Sequence, residues 1–467
     1  MVRPGERIHV IGIAGSGAAG VAWLLHRAGA VVDGCDVDLP SPYTPPLAAA
    51  GVPLLQGHDP AHLLGVDRVA ISPAVRAVPE HAELRAALDT GLPVVTWQAL
   101  LGELMAERGH LGLAVTGTHG KSTTTALLGH LLVVAGMDPT VEVGAFIAGW
   151  GASVRPGRGV PFLVEADEFG DNFLNYRPSA AIVTNVEMDH PDYFRDEAAV
   201  LDSFERFVRQ MAPDPRVGGR LLFAAAGSGG ADALVARLGD WHGRVVRYGP
   251  GGEMQAESVQ YDERGTRFVL FEHPFEMRLA GEHNVVNATA AVALARTLGA
   301  PLDALAEGLR TFAGAGRRME RIADTAGVLI YDDYGHHPTE VRAALAAARQ
   351  VVGERRLWAV FEPHMYSRTA LFLDEFAASF RAADEVLIVD IFASRDADTT
   401  VTSAEELADA VERISAVPTM ASGDADTTAA YLADHVVRGD AVLVMGAGKS
   451  YRVARGLAER LAAGTVA

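Results

Sequence analysis

The run Thr116-Gly117-Thr118-His119-Gly120-Lys121-Ser122-Thr123 holds the parts of a phosphate-binding loop. An apolar stretch, Leu111 to Val115, leads into it, and a helix-compatible stretch from Ala126 to Val134 follows. Glycines let backbone N–H groups converge on phosphate oxygens, and the new helix turns its positive end toward them. Lys121 would then reach the terminal phosphates and the Ser122 hydroxyl would ligate Mg²⁺. The general pattern begins with a glycine where this chain has Val115, and Gly117 lies inside the loop instead. A ligand-free strand-to-helix turn is the alternative. Lysine usage favours the loop: Lys121 and Lys449 are the only lysines, the other 38 of the 40 basic residues being arginine. A compact ammonium is kept where a planar guanidinium would not fit.

Further carboxylates stand where strands should end. Pro161 to Glu165 reads as a buried strand running into Glu165, Asp167 and Glu168, and Ala180 to Val183 runs on to Glu187, Asp189 and His190. Ligands of open α/β sheets collect at the carboxyl ends of strands, so these tips suggest Mg²⁺ ligation. The N-terminal run Gly15-x-Gly17-x-x-Gly20, followed by Asp36 at the end of a second strand, satisfies the dinucleotide-fold fingerprint. It would hold a diphosphate, or serve as a tight turn with no ligand; a nicotinamide-dependent oxidoreductase is the reading that uses it alone. Asn284 and Asn287 open an alanine-rich helix, where they cap it or offer amides to a base. His336 and His337 follow the paired Asp332 and Asp333, but without a cysteine or third histidine at ligand spacing we expect no zinc there.

The elements that carry these residues alternate between strand and helix. Strands are expected at Arg7 to Gly12, Val31 to Asp36, Val52 to Gln56, Arg68 to Ser72, Leu92 to Thr96, Gly327 to Asp333, Leu357 to Phe361, Glu385 to Asp390 and Ala441 to Met445. The chain of 467 residues is long enough for about three domains. We expect an α/β protein with an N-terminal Rossmann-like domain at 1–107, a central P-loop ATPase domain at 108–312 and a C-terminal Rossmann-like domain at 313–467. The net charge of −19 argues against nucleic acid or an anionic membrane as partner. Anionic ligands must be held by local devices. One cysteine, Cys35, excludes an intrachain disulfide and fits a reducing cytoplasm. The apolar stretch from Ile8 to Leu25 is too glycine-rich for a targeting segment.

Nearly end to end, the chain resembles the Mur ligase family, and within it the branch that joins L-alanine to UDP-N-acetylmuramate. The resemblance rests on Thr116 to Thr125, Glu165 to Glu168, Thr184 to His190, Gly281 to Asn287, Gly316-Arg317-Arg318, Asp332 to Glu340 and Pro363 to Thr369. It implies ATP- and Mg²⁺-dependent amide synthesis through an acyl phosphate, in the cytoplasm, by a monomer or homodimer. It also implies roles. Gly117, Thr118, His119, Gly120, Lys121, Ser122 and Thr123 would frame the ATP phosphates, with Asn284, Asn287, Arg318 and Asp333 on the rest of the nucleotide. Ser122, Glu165 and His190 would hold the metals. Gly15, Ser16, Gly17 and Asp36 would take the UDP diphosphate and ribose, and His336, His364 and Arg368 the acyl group and amino acid. Lys121, His190, Arg318, His364 and Arg368 would be catalytic. A recycling ligase that adds a preformed murein peptide is the alternative within the family. The chain departs from the alanine-adding pattern at Met365, where arginine is usual, at Phe169-Gly170, and at Ala14 and Ala18.

Overall fold

Short apolar runs bounded by glycine, proline and acidic residues become the strands of parallel sheets. The computed structural model describes residues 1–76, 78, 80–262, 265–396 and 398–464. Five strands form an all-parallel N-terminal sheet in the spatial order Leu54–Gln56, Val31–Asp36, Arg7–Ile11, Arg68–Ile71, Val94–Thr96. Two of these begin later than the sequence suggests, at Leu54 and Val94. Pro53 and Pro93 precede them. Each lends its carbonyl to the neighbouring strand, but proline has no N–H with which to continue the ladder.

A seven-stranded sheet follows in the order Arg244–Tyr248, Leu221–Ala225, Ala180–Val183, Leu111–Thr116, Pro161–Glu165, Thr140–Ile147, Ala152–Arg155. Every pairing is parallel except that of the last two strands. Leu111–Thr116 is buried at every position, as a central parallel strand covered on both faces must be. Its register, Thr116 beside Val183 and Val115 beside Glu165, brings both acidic strand tips to the loop that it feeds.

A six-stranded sheet occupies the C-terminal part, in the order Glu320–Thr325, Val328–Asp333, Ala441–Met445, Leu357–Phe361, Glu385–Val389, Thr419–Gly423. Only its first pair is antiparallel. One face is covered by a core around Phe361, Phe376 and Phe380, the other by one around Trp358, Val442, Val453 and Leu457. This is a doubly wound layer. A small antiparallel sheet, Glu257–Asp262, Gly265–Leu270 and His273–Met277, has no counterpart in the sequence reading.

The chain divides into two compact units. The first comprises Met1–Glu187, Ala198–Gln255 and Asn287–Ala315; the second comprises Met188–Glu197, Ala256–Val286 and Gly316–Ala467, of which 465–467 lie outside the described residues. Among the described residues, no helix is long and apolar enough to cross a membrane.

Candidate active site

In the first unit the strand Leu111–Thr116 ends in a loop with two left-handed glycines, Gly117 at φ +133° and Gly120 at φ +79°. A β-carbon at Gly117 would stand 2.1 Å from Thr184 Oγ1, and one at Gly120 3.1 Å from Asn287 Oδ1. Both positions therefore require glycine on conformational and steric grounds. The loop is pinned from the neighbouring strand end: His119 N donates to Asn185 Oδ1 (2.8 Å), Thr184 Oγ1 donates to His119 O (2.5 Å), and Glu187 N donates to Thr118 Oγ1 (2.9 Å). The helix Lys121–Val134 starts at the loop, and Thr123 is buried in its first turn.

Lys121 Nζ donates to Gly117 O (2.6 Å), Thr118 O (3.1 Å) and Glu168 Oε2 (2.8 Å), with Asp167 Oδ1 at 3.8 Å. Burial works against its charge, but Glu168, Asp167 and Glu165 outweigh it and push the ammonium above the ordinary lysine value. Ser122 Oγ donates to Glu165 Oε1 (2.9 Å), whose other oxygen accepts from Gly144 N (2.7 Å). Glu142, buried on the next strand, is pushed well up by its burial and then by the Glu165 charge. Hydroxyl and carboxylate oxygens converging beside a lysine are the hard donor set that Mg²⁺ takes while keeping several waters, so the residues present fit that ion. The glycine cradle likewise fits a triphosphate.

The N-terminal fingerprint lies in the same unit. Gly15 precedes the helix Ser16–Arg27, and Ser16 O accepts from Ser153 Oγ (2.8 Å). A β-carbon at Gly17 would lie 2.4 Å from Trp97, so this glycine is demanded by an indole. The left-handed turn falls at Gly12 (φ +85°), outside the three fingerprint glycines. Asp36 turns its carboxylate back on the loop, accepting from Ala14 N (3.0 Å).

The second unit gathers His190, Asn284, Arg318, Asp333, His336, His364 and Arg368. Arg368 is 1% exposed. Its Nε and Nη2 donate to Asp189 Oδ1 (2.9 and 2.7 Å), Nη1 donates to His364 Nδ1 (3.2 Å), and Nη2 lies 3.5 Å from His190 Nδ1. Asp189 is buried, yet Arg368 holds its carboxyl far below the usual range. His336 donates from Nδ1 to Tyr334 O (3.0 Å), its backbone N–H donates to Glu340 Oε2 (3.0 Å), and its ring meets that of His364 edge-on at 5.7 Å. Burial lowers His336 to about 4 and His364 to about 3, so both imidazoles are neutral.

Asp333 spends its carboxylate on Gly335 N (2.7 Å) and Met319 N (2.8 Å). The arginine pair divides its labour. Arg317 donates to Asp332, Gly446 O and Ser450 Oγ, while Arg318 lies over the Tyr334 ring with Glu340 at 3.8 Å. Asn284 donates back to Ala280 O (2.7 Å), a bond to the preceding turn that does not satisfy a first-turn N–H. Met365, at the position of departure, is fully buried with φ +71°.

Sequence reasoning missed the partners. Glu168 was expected among the strand-tip carboxylates for Mg²⁺ and instead accepts from Lys121, and Asn185 under His119 was visible only as a neighbour of chosen residues. Asp189 stood out as a strand-end carboxylate but not as the partner of Arg368, and Trp97 gave no signal; each meets its partner across a long separation in the chain.

Family models match three stretches: "Mur ligase family, catalytic domain" at residues 7–108, "Mur ligase middle domain" at 163–295, and "Mur ligase, glutamate ligase domain" at 317–448. The chain is 41% identical over 396 residues to a UDP-N-acetylmuramate–L-alanine ligase of Acidothermus cellulolyticus, covering 83% of this chain and 80% of that one. To the ligase of the same name from Kineococcus radiotolerans it is 43% identical over 418 residues, covering 87% and 86%. Its fold is similar to that of the UDP-N-acetylmuramate-alanine ligase of Thermotoga maritima, with a TM-score of 0.81 at 24% identity over 98% of this chain and 99% of that one. With three parallel-type sheets, a lysine-tipped glycine loop between acidic strand ends and these matches, the chain belongs to the Mur ligase family and has its three-domain α/β architecture.

Proposed function

We propose that this protein joins L-alanine to the carboxylate of UDP-N-acetylmuramate at the expense of ATP, in peptidoglycan precursor synthesis. The relatives that carry this name at 41–43% identity over most of the chain are the observation that supports the reading most. The domain boundaries that go with it are 1–107 for the nucleotide sugar, 108–312 for ATP and 313–467 for closing over the amino acid. The carboxylate oxygen of the sugar attacks the γ-phosphorus of ATP and ADP leaves; the alanine nitrogen then attacks the acyl carbon, phosphate leaves, and the amine loses a proton. Carboxylate and triphosphate repel each other, so positive charge must be fixed in advance around them. Lys121 exchanges its bonds to the loop carbonyls and Glu168 for phosphate oxygens, and the Gly117–Gly120 backbone takes the remainder. Ser122, Glu165 and His190 would hold Mg²⁺, which when bound offsets negative charge on the phosphates. Arg318 meets the nucleotide, while the neutral His336 and His364, next to Arg368, border the acyl group. The compartment suited to an ATP-consuming chain with one cysteine is the reducing cytoplasm.

The peptide-recycling reading keeps some support from a murein peptide ligase of Psychrobacter arcticus, 26% identical over 98% of this chain with a TM-score of 0.68. Release of ADP by the purified protein with UDP-N-acetylmuramate should depend on free alanine and not on a tripeptide acceptor. Release that needs the tripeptide would reverse the order of the two readings, and release with neither would remove both.

A further inference from the structure

Away from the phosphate loop, one face of the N-terminal sheet buries a second set of chemically active side chains. His9 is on the central strand Arg7–Ile11 and pairs in register with Asp33; Cys35, two residues on, points to the same face. Glu83 comes from the helix Ala82–Asp89, His62 from the turn Pro60–Leu63, and His58 from the segment just before it. His9, Cys35 and Glu83 are each 0% exposed. No step of the ligase reaction proposed above uses any of them.

Their atoms converge on one point. His9 Nε2 lies 3.0 Å from Glu83 Oε1 and 3.4 Å from Cys35 Sγ; Cys35 Sγ lies 2.9 Å from Glu83 Oε2; His62 Nδ1 lies 3.0 Å from Glu83 Oε1. One ligand atom from each of His9, Cys35, His62 and Glu83 falls within 4.8 Å of every other. His58 Nδ1 stands beside them, 3.2 Å from both Cys35 Sγ and Glu83 Oε2. Tetrahedral zinc, with bonds of about 2.3 Å to sulfur and 2.0–2.2 Å to nitrogen and oxygen, has ligand-to-ligand edges of roughly 3.3–3.7 Å. The short edges of 2.9–3.0 Å would open by about half an ångström to reach that range, and any edge toward the 4.8 Å limit would close. His9 is also oriented from behind: its Nδ1 is bonded to Asp33 Oδ1 at 2.6 Å, which turns Nε2 inward. A carboxylate behind a ligating imidazole is the usual support of a metal site. A hydrogen-bonded core polar cluster is the competing account. It explains the contacts of Glu83 but asks three imidazoles and a thiol to share one buried carboxylate.

We propose that His9, Cys35, His62 and Glu83 form a structural site for a borderline-soft divalent cation, Zn²⁺ by its thiolate, imidazole and carboxylate donors, with His58 as an adjacent donor. Loading releases the Cys35 thiol proton and any proton on His9 Nε2 to solvent, leaving a thiolate and a neutral imidazole as ligands. The ion would tie two central strands to the helix Ala82–Asp89. It would also steady the nucleotide-sugar loop, because Cys35 O accepts from both Gly12 N (2.9 Å) and Ile13 N (3.2 Å).

Cys35 is the only cysteine of the chain, so a thiolate signal can come from nowhere else. The full-length protein, stripped with a chelator and titrated with Zn²⁺ alone, should retain one equivalent after desalting. Titration with Co²⁺ alone should give a thiolate-to-cobalt charge-transfer band in the near ultraviolet together with intense tetrahedral d–d bands. The band should vanish in Cys35→Ser. Asp33→Asn, a change at a partly exposed position behind His9, should keep the band while weakening Zn²⁺ about 10- to 100-fold. Retention of Zn²⁺ that is equal in wild type and Cys35→Ser, or Co²⁺ spectra without the thiolate band, would overturn the site. If Cys35→Ser does not fold, an unchanged Zn²⁺ affinity in Asp33→Asn overturns it instead.

Discussion

Lys121 and Arg368 are both cations set against buried carboxylates, and the contrast between them separates a group that exchanges partners from one that holds structure. Lys121 is bonded to two carbonyls of its own loop and to Glu168, at a side chain 12% exposed. All three are partners that phosphate oxygens can replace, on a flexible stem with a compact charge. Arg368 is sealed, with both Asp189 bonds from a rigid fork and a third bond to His364. It ties the segment Met188–Glu197 to the helix Tyr366–Leu371 within the second unit. A ligand that needs Arg368 must be met without undoing that pair.

Arg368→Ala should therefore cost the second unit about 3–5 kcal/mol, because it strands the buried Asp189 charge. Pairing Arg368→Met with Asp189→Leu should return much of that loss. Chemical denaturation of the three proteins measures this, and a double variant no more stable than Arg368→Ala would make the pair something other than an ion pair holding the unit. Lys121→Ala should show the reverse profile: kcat lower by about 10²–10³-fold or more, as for removal of one preorganised charge-stabilising donor, with Tm little changed. If Lys121→Ala unfolds the protein while Arg368→Ala merely slows it, the comparison is inverted.

The contrast was only half legible beforehand. The Lys121 loop is contiguous, and the glycine–lysine–serine order states its chemistry within a few residues. The strand feeding it, Leu111–Thr116, announces itself as an apolar run, and so do Ala180–Val183, Leu357–Phe361 and Ala441–Met445 elsewhere in the chain; all four are buried throughout. Arg368 meets Asp189 across 179 positions, and His9 meets Cys35, His62 and Glu83 from four different elements. Pattern along the chain cannot report such meetings; register and helix packing create them. The antiparallel strands Glu257–Met277 escaped for another reason. Their exposed faces are polar and their pattern is broken by an irregular register, so neither period 2 nor a continuous apolar run stands out.

A smaller effect sharpens the comparison through pH. Burial, then Arg318, lowers His283 to about 4, with Glu340 opposing; burial lowers His336 to about 4, against Glu340 and Asp189 and alongside Arg368. Both lie below the ordinary histidine value, so the unfolded chain binds more protons between about pH 4 and 6.5. Stability contributed by these neutral imidazoles is present above pH 6.5 and lost as pH falls toward 4. Asp332 runs the other way: burial, offset by Arg317, raises it to about 6. The folded state binds the extra proton there, so this site gains stability as pH falls from about 6 toward 3.8. Wild type minus His283→Gln or His336→Gln should thus decline with acid, and wild type minus Asp332→Asn should rise. Differences that stay flat with pH in denaturation series would mean that these groups are solvated.

In the proposed reaction an oxygen of the UDP-N-acetylmuramate carboxylate attacks ATP before alanine arrives at the acyl carbon. Labelling that carboxylate with ¹⁸O and analysing the released phosphate by mass spectrometry tests it directly. One labelled oxygen in each phosphate, in amounts matching the amide formed, is the predicted result. Amide formed with unlabelled phosphate would contradict it.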